Sequence, residues 1–479
     1  MIPTRGCPLG LQEVTELARL TLSYVLAGIG QHSLPFPPRP TLVFAAVTND
    51  SREALPGSLF VALRGERDGH DFIADARRRG ATGVIAERLI DFHDWLPSAE
   101  QTDFAYIVVP DSLAALQNLS SWHLRQHSCR VVGITGSMGK TTTREVVASV
   151  LGRRFRVLCS EKNYNNEIGL PLTLLNLEPE HQYAVLEMGM YDVGDIASLC
   201  RLAPPQVGIV TNVSYVHLER LGTIDRIAQA KSELVQALPP DGTAILNADD
   251  KRVAAMRFLT LATPLLYGLT PEADVWASDL ESLGLKGLRF RLHRGSEQLT
   301  VFSPLPGWHS VYACLAAASA GLAEGLTLAE VAEGLAEVER RPRLVTLPGR
   351  NGSVIIDDTY NANPLAVEAG LSLLASLPGR RVAILGDMFE LGAYEEEGHR
   401  AVGRKAAETV DELIVVGQRA RLIGEEARAH GLESVRFFGS NAEVELNLSA
   451  GDYVLVKGSR GMRMEEIVAR LRAPEGGLS

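Results

Sequence analysis

The run Val131-Val132-Gly133-Ile134-Thr135-Gly136-Ser137-Met138-Gly139-Lys140-Thr141-Thr142-Thr143 sets an apolar strand directly before a glycine-rich turn that ends in lysine and hydroxyl residues. Such a turn is a phosphate cradle. Its backbone N–H groups and those of the following helix converge on one point, where aligned peptide dipoles favour an anion. Lys140 adds a full positive charge, and the Thr141 hydroxyl is placed to hold Mg²⁺ against the β- and γ-phosphates. The long form of the phosphate-loop pattern asks for a glycine where this chain has Ile134, so only the compact form Thr135-Gly136-x-x-Gly139-Lys140-Thr141 is present.

Outward from this loop the pattern alternates. Strands are expected at 131–135, 183–187, 207–212 and 243–247, with an amphipathic helix at 112–126 and further helices starting at Lys140 and near Thr223. Such alternation builds a mostly parallel sheet, whose ligands bind beyond the carboxyl ends of its strands. Gly136 to Thr141, Glu187, residues 212–217 and residues 247–250 all sit at those ends. A β-like stretch at 274–302 and an alanine-rich helix at 311–323 follow. The first block, 1–110, shows strand-like runs at 59–63 and 83–86, a helical 71–79 and a proline-rich connector at 34–40. The third, 341–479, alternates again: strands at 354–358, 381–385, 412–416 and 453–457, with helices from Pro364 and about Glu396. The fold class expected is α/β in three domains: a small α/β N-terminal domain (1–110), a central P-loop ATPase-like domain on a mostly parallel sheet (111–340), and a C-terminal Rossmann-like domain (341–479). Two α/β domains with polar strand ends suggest a cleft that closes around a nucleotide and a second substrate. Neither repeats nor a coiled coil are evident.

The chain has 479 residues, of which 46% are hydrophobic and 22% charged, as in ordinary globular proteins. Its net charge of −11 argues against a nucleic-acid or anionic-membrane partner, so an anionic substrate must be gathered by local charge. Cys7, Cys129, Cys159, Cys200 and Cys314 are scattered without CxxC spacing, which predicts free thiols, no disulfide and no zinc. The N-terminus lacks a charged start followed by an apolar core, and residues 311–323 are too short to span a bilayer. A cytoplasmic protein with no stable membrane anchor is expected.

Glu187 ends an apolar strand beside the loop, where a phosphoryl-transfer enzyme places a magnesium ligand; a solvated strand-end glutamate is the plainer reading. His217 follows a strand and a short loop at the same edge, and reads either as a metal ligand or as a polar loop residue. Lys231, within the helix near 224–238, reads locally as a surface lysine paired with Glu233 or Asp225.

Longer runs make a resemblance specific. Asp50-Ser51-Arg52, Pro56-Gly57-Ser58-Leu59-Phe60-Val61-Ala62-Leu63 and Gly69-His70-Asp71-Phe72 are similar to the UDP-sugar domain of the Mur ligases, ATP-dependent amide-forming enzymes of peptidoglycan synthesis. The compact loop and Asn163-Tyr164-Asn165-Asn166-Glu167-Ile168-Gly169-Leu170-Pro171 match the same family. Asp357-Asp358-Thr359-Tyr360-Asn361-Ala362-Asn363-Pro364, Leu385-Gly386-Asp387-Met388-Phe389-Glu390-Leu391-Gly392 and Val456-Lys457-Gly458-Ser459-Arg460-Gly461 resemble its D-Ala-D-Ala-adding branch.

The resemblance implies that Glu187 and His217 bind Mg²⁺ and that Lys231 carries a CO₂-derived carbamate. It implies that ATP contacts residues 135–142 (Thr135, Gly136, Ser137, Met138, Gly139, Lys140, Thr141, Thr142), Asn166 and His309. Arg343 would reach the γ-phosphate, Asp358 the ribose and Asn363 the adenosine side. UDP-N-acetylmuramoyl-tripeptide would meet Ser51 and Arg52, and D-Ala-D-Ala would meet Lys457, Ser459 and Arg460, with the protein a monomer. One departure stands out. Pro306-Gly307-Trp308-His309 is followed by Ser310 and Ala313 where the family usually carries asparagines, a change that would weaken adenine-side contacts by about 1 kcal/mol for a neutral hydrogen bond. Rival readings are a ligase of the same superfamily adding another amino acid, and a nucleotide-binding scaffold without catalysis.

Overall fold

A computed structural model describes residues 20–91, 96, 102–160, 163–215, 218–338 and 345–473. The chain forms two compact units: Met1–Cys129 with Glu167–Gln182, and Arg130–Asn166 with Tyr183–Ser479.

In the first unit, strands Ala46–Thr48, Ser58–Val61, Gly83–Ala86 and Ala105–Val108 form a parallel sheet in that order. Alternation sorts its side chains between two cores. Leu59, Val61, Ile85 and Ile107 face helices Leu22–Ile29 and Ser112–Arg125, while Phe60, Val84 and Tyr106 face helix Ile73–Arg78. A Cβ on Gly28 would lie 2.7 Å from a Leu119 methyl, so glycine sets how closely the first two helices approach. Leu172 and Leu175, from the excursion Glu167–Gln182, complete the first of these cores.

Among the described residues of the second unit, a nine-stranded sheet runs in the order Glu297–Ser303, Leu288–Arg294, Val275–Ser282, Thr263–Gly268, Thr243–Asn247, Val207–Val210, Arg130–Thr135, Tyr183–Glu187, Val157–Cys159. The two strands Leu288–Arg294 and Glu297–Ser303 are joined antiparallel at one edge; the rest are parallel. Val132, Ile134, Val185 and Ile209 pack on helices Lys140–Leu151 and Ser310–Ala323. On the opposite face Gly133 and Gly208 admit Leu234 and Leu238, from helix Ile224–Gln236 and the residues just after it. The chain runs from Arg130–Thr135 to the far edge and back, and then crosses to the other side. Strand order therefore reverses at the strand that carries the phosphate loop, which is where open α/β sheets hold ligands.

A second sheet in this unit has the order Val345–Pro348, Val354–Asp357, Tyr453–Lys457, Arg381–Gly386, Glu412–Val416, Val435–Phe438, with the first strand antiparallel and the others parallel. Helices Pro364–Ala375 and Glu395–Thr409 cover one face and Glu465–Leu471 the other. The expected strand 207–212 stops at Val210, because Thr211 and Asn212 turn aside to hold the phosphate loop. Among the described residues no helix is long and apolar enough to cross a membrane, and Cys129, Cys159, Cys200 and Cys314 are free thiols.

Candidate nucleotide and metal site

Two glycines shape the loop. Gly136 takes φ +147° and Gly139 φ +77°, backbone regions that side-chain-bearing residues rarely adopt. A Cβ on Gly136 would stand 1.9 Å from Thr211 Oγ1, whereas one on Gly139 would meet nothing within 4 Å. Gly136→Ala is therefore expected to weaken nucleotide binding at least about tenfold, with backbone strain on the order of 1–3 kcal/mol. Titration calorimetry with an ATP analogue reads this, and unchanged affinity would show that the loop relaxes.

The neighbouring strand end templates the loop. Asn212 accepts from the Met138 N–H through Oδ1 at 3.0 Å and donates from Nδ2 to the Met138 carbonyl at 3.1 Å. Thr211 Oγ1 donates to the same carbonyl at 2.6 Å, and the Ser137 N–H donates to the Asn212 carbonyl at 2.9 Å. Ser137 Oγ also accepts from the Ser214 N–H at 2.9 Å. Lys140 curls over the turn, its ammonium donating to the carbonyls of Gly136 at 2.9 Å and Ser137 at 3.4 Å. Gly139, at the N-cap of helix Lys140–Leu151, supplies no side-chain cap to the first N–H groups of the helix. Thr142 is half-buried on that first turn, and the buried Thr135 hydroxyl makes no hydrogen bond among the described residues.

Glu187 is 2% exposed. Its Oε2 accepts from Thr141 Oγ1 at 2.7 Å and its Oε1 from Asn165 Nδ2 at 2.9 Å. Arg144 Nη1 stands 3.8 Å from the same carboxylate and is also buried. Lys231 is also drawn inside, at 2% exposure. It shares the buried face of its helix with Ile227, Leu234 and Val235. Burial first, and then the charge of Lys140, push its ammonium well below the ordinary lysine range. The surface pairing suggested by local spacing does not form. Glu233 instead accepts from the Gly194 and Ala197 N–H groups at 2.6 and 2.9 Å, and Asp225 meets Arg252.

The edge of the second sheet gathers the late motifs. Lys457, 3% exposed, reaches Asp358 Oδ2 at 2.7 Å and donates to the Asn361 carbonyl at 2.8 Å. Ser459 Oγ accepts from the Phe389 N–H at 2.8 Å. Asn363 Oδ1 accepts from the Ala366 N–H at 3.0 Å, capping helix Pro364–Ala375. A cavity of about 150 Å³ opens among Asn361, Asn363, Phe389, Glu390, Ser459 and Arg460, the last of these largely exposed beside Glu465.

In the first unit Ser51 Oγ donates to Asp75 Oδ2 at 2.9 Å, and Arg52 folds onto Asp50 with its guanidinium mostly exposed. His309 is exposed and Asn166 half-buried. The two departures from the family pattern face inward: Ala313 lies in the core, and Ser310 Oγ donates to the Pro306 carbonyl at 2.7 Å. His217 and Arg343 lie outside the described residues.

Sequence reasoning passed over Arg144 and Asn165 as individual residues of this site. Arg144 follows Thr141 by three and Lys140 by four, a spacing that puts it on their helix face and could have exposed it. Asn165 gives no comparable local signal.

Comparison with known proteins supplies the lineage of this arrangement. Residues 134–321 match the Mur ligase middle domain, 341–460 the family's glutamate ligase domain and 43–122 its catalytic domain. UDP-N-acetylmuramoyl-tripeptide--D-alanyl-D-alanine ligase of Escherichia coli is 36% identical over 438 residues, 89% of this chain and 93% of that one. The enzyme of the same name from Bacillus subtilis is 35% identical, covering 93% and 97%. A crystal structure of MurF from Acinetobacter baumannii superposes with a TM-score of 0.83 at 31% identity, over 95% of this chain and 99% of that one. MurF from Thermotoga maritima in complex with ADP gives 0.73 at 30% identity, over 89% and 96%. With these relatives spanning nearly its whole length, the chain belongs to the Mur ligase family.

Proposed function

We propose that this chain is an ATP-dependent ligase that joins D-Ala-D-Ala to the terminal carboxylate of UDP-N-acetylmuramoyl-tripeptide, as a cytoplasmic monomer. ATP transfers its γ-phosphoryl group to that carboxylate, giving an acyl phosphate and ADP. The free amine of D-Ala-D-Ala attacks the acyl carbon, and the tetrahedral intermediate collapses to the amide with release of phosphate. No side-chain nucleophile is needed.

The observation that carries this reading is the Thr141–Glu187 contact beside a phosphate loop, with Lys231 buried close enough to feel Lys140. Loop N–H groups and Lys140 hold the β- and γ-phosphates and stabilise charge as it moves to the leaving oxygen. Thr141 and Glu187 fit Mg²⁺, since a buried hydroxyl oxygen and carboxylate oxygen 2.7 Å apart form a hard, oxygen-only donor set. His217 and a Lys231 carbamate would add further ligands. The metal, when bound, neutralises phosphate charge and orients the carboxylate for attack. Lowering of its pKa by burial makes the Lys231 amine lone pair, which adds to CO₂, more available, and the carbamate formed loses a proton to become anionic.

In this reading residues 1–110 hold the UDP-sugar end through Ser51 and Arg52, residues 111–340 hold ATP with help from Asn166 and His309, and residues 341–479 bring in the dipeptide. Arg343 neutralises the γ-phosphate, while Asp358 and Asn363 meet the ribose and adenosine. Lys457, Ser459 and Arg460 shape the dipeptide end. Phosphate release is expected only when ATP, Mg²⁺, the UDP-muramoyl tripeptide and D-Ala-D-Ala are all present, with a UDP-muramoyl pentapeptide identified by mass. Release with a different amino acid in place of the dipeptide would assign another ligase of the family, and ATP binding without release in any combination would assign a scaffold.

A further inference from the structure

Strand Arg381–Gly386 runs into Asp387-Met388-Phe389-Glu390-Leu391, a turn that leaves the sheet before helix Glu395–Thr409 begins. Met388 and Leu391 are buried in the core under that helix, whereas Phe389 is half-buried and Glu390 exposed. Glu390 takes φ +63°, a left-handed conformation that a residue with a side chain keeps only where its surroundings over-determine it.

Those surroundings are specific. The Met388 N–H donates to His399 Nε2 at 3.1 Å, the Phe389 N–H to Ser459 Oγ at 2.8 Å, and the Tyr394 N–H to the Leu391 carbonyl at 3.0 Å. The Arg419 guanidinium lies 5.0 Å from the Phe389 ring centroid and pairs with Glu395 at 2.8 Å. His399 is fully buried, and its Nδ1 donates to the Glu395 carbonyl at 2.7 Å. With one ring nitrogen facing a carbonyl and the other an N–H, the ring is neutral and carries its proton on Nδ1. A second proton would set N–H against N–H and release Met388. The turn walls the cavity it shares with Asn361, Asn363, Ser459 and Arg460. Glu390 and Arg460 give that cavity a carboxylate and a guanidinium, which match the ammonium and carboxylate ends of a free dipeptide.

We propose, on the D-Ala-D-Ala ligase reading, that His399 is a positioning residue for the incoming dipeptide, holding through the Met388 N–H the turn whose Phe389 and Glu390 receive it. His399 acts through the turn rather than on the substrate. Burial is the main reason its ring titrates below the ordinary histidine value of 6.5; Arg419 adds to the effect, and Glu395 and Asp387 oppose it. Charges on the helices packed beside it are engaged elsewhere: Glu368 faces Lys405 and Arg404, and Glu426 pairs with Arg400 and Arg404. Acid should therefore loosen the dipeptide end of the site.

The test is steady-state kinetics of the full chain, with each substrate varied in turn, on wild type, His399→Leu and His399→Gln. Leucine leaves the Met388 N–H without an acceptor, and KM for D-Ala-D-Ala is expected to rise at least about tenfold, while KM for ATP and for the UDP-muramoyl tripeptide moves less than about twofold. Glutamine reaches the same N–H with an oxygen that does not titrate, so it should restore most of the loss. As pH falls below 6.5, KM for D-Ala-D-Ala should rise in wild type and stay flat in His399→Gln. An unchanged dipeptide KM in His399→Leu, or a rise shared by all three substrates, would overturn the positioning role. If the leucine variant fails to fold, wild type against His399→Gln decides, and equal pH profiles would overturn the proposal. Wild-type protein that turns over no D-Ala-D-Ala would overturn the ligase reading itself, and this role with it.

Discussion

Glu187→Gln is expected to lower turnover by about 10²–10³-fold while ATP still binds. Glutamine keeps the shape of the side chain, and its amide can still bond with Thr141 and Asn165, so the fold should survive. What it loses is the negative charge that would face Mg²⁺ and that stands 3.8 Å from Arg144. Glu187→Ala is predicted to behave differently. Truncation to alanine also removes the acceptors of the buried Thr141 and Asn165 hydrogen bonds and leaves a cavity, at about 1–3 kcal/mol for each buried group left unsatisfied, whereas Arg144 keeps Glu145 at 3.3 Å in either variant. Thermal melting separates the two. The Gln variant should be inactive with a near-native transition, and the Ala variant both inactive and destabilised. A Gln variant with full turnover would remove Glu187 from the metal site.

Lys231→Met is expected to abolish turnover, by about 10²-fold or more, and yet to raise the melting temperature. The ammonium lies inside an apolar helix face near Lys140 and makes no hydrogen bond or ion pair among the described residues, so it is a cost to the fold that methionine of similar length removes. The pH dependence follows from the same shift. The folded lysine loses its proton below its ordinary value of 10.5, so across that window the unfolded chain binds more protons. Stability of the unmodified protein therefore rises with pH toward 10.5, and falls as pH drops to the lowered folded value. The Met variant should lose this slope. A ¹³C carbamate resonance on supplying labelled bicarbonate, absent in Lys231→Met, would complete the case. A variant that is more stable but fully active would make Lys231 only a buried lysine.

Much of this architecture is legible because parallel strands covered on both faces read as unbroken apolar runs. Residues 131–135, 183–187 and 243–247 in one sheet, and 381–385, 412–416 and 453–457 in the other, are of that kind. Strands at sheet edges read poorly. Val157–Cys159 is only three residues long, and Val435–Phe438 carries Arg436, whose guanidinium bonds Glu412. Thr263–Gly268 lies inside its sheet and reads poorly for another reason, since it begins with an exposed Thr-Pro, which local rules take for a loop. The site divides the same way. Glu187 is visible because it ends an apolar strand, and the loop because its glycines and lysine are contiguous. Lys231 is not visible locally, since the partner that spacing offers it, Glu233, is taken by backbone N–H groups from a distant turn. Asn212 shows only as a strand-end residue, since its grip on Met138 depends on which strands are neighbours, and that is a property of the sheet order.

The excursion of Glu167–Gln182 into the first unit bears on how the chain is made. His123 in helix Ser112–Arg125 is held between the Tyr24 hydroxyl at 2.7 Å and the Leu177 carbonyl at 3.2 Å, and Leu172 and Leu175 close the same core. A ribosome that has released residues up to Cys129 has therefore not yet supplied everything this core requires. The N-terminal unit can finish folding only after the phosphate loop and its helix have emerged. Any boundary for expressing it alone must carry the later segment too, by fusion or by circular permutation, because a cut after Cys129 would leave an apolar face bare to the solvent.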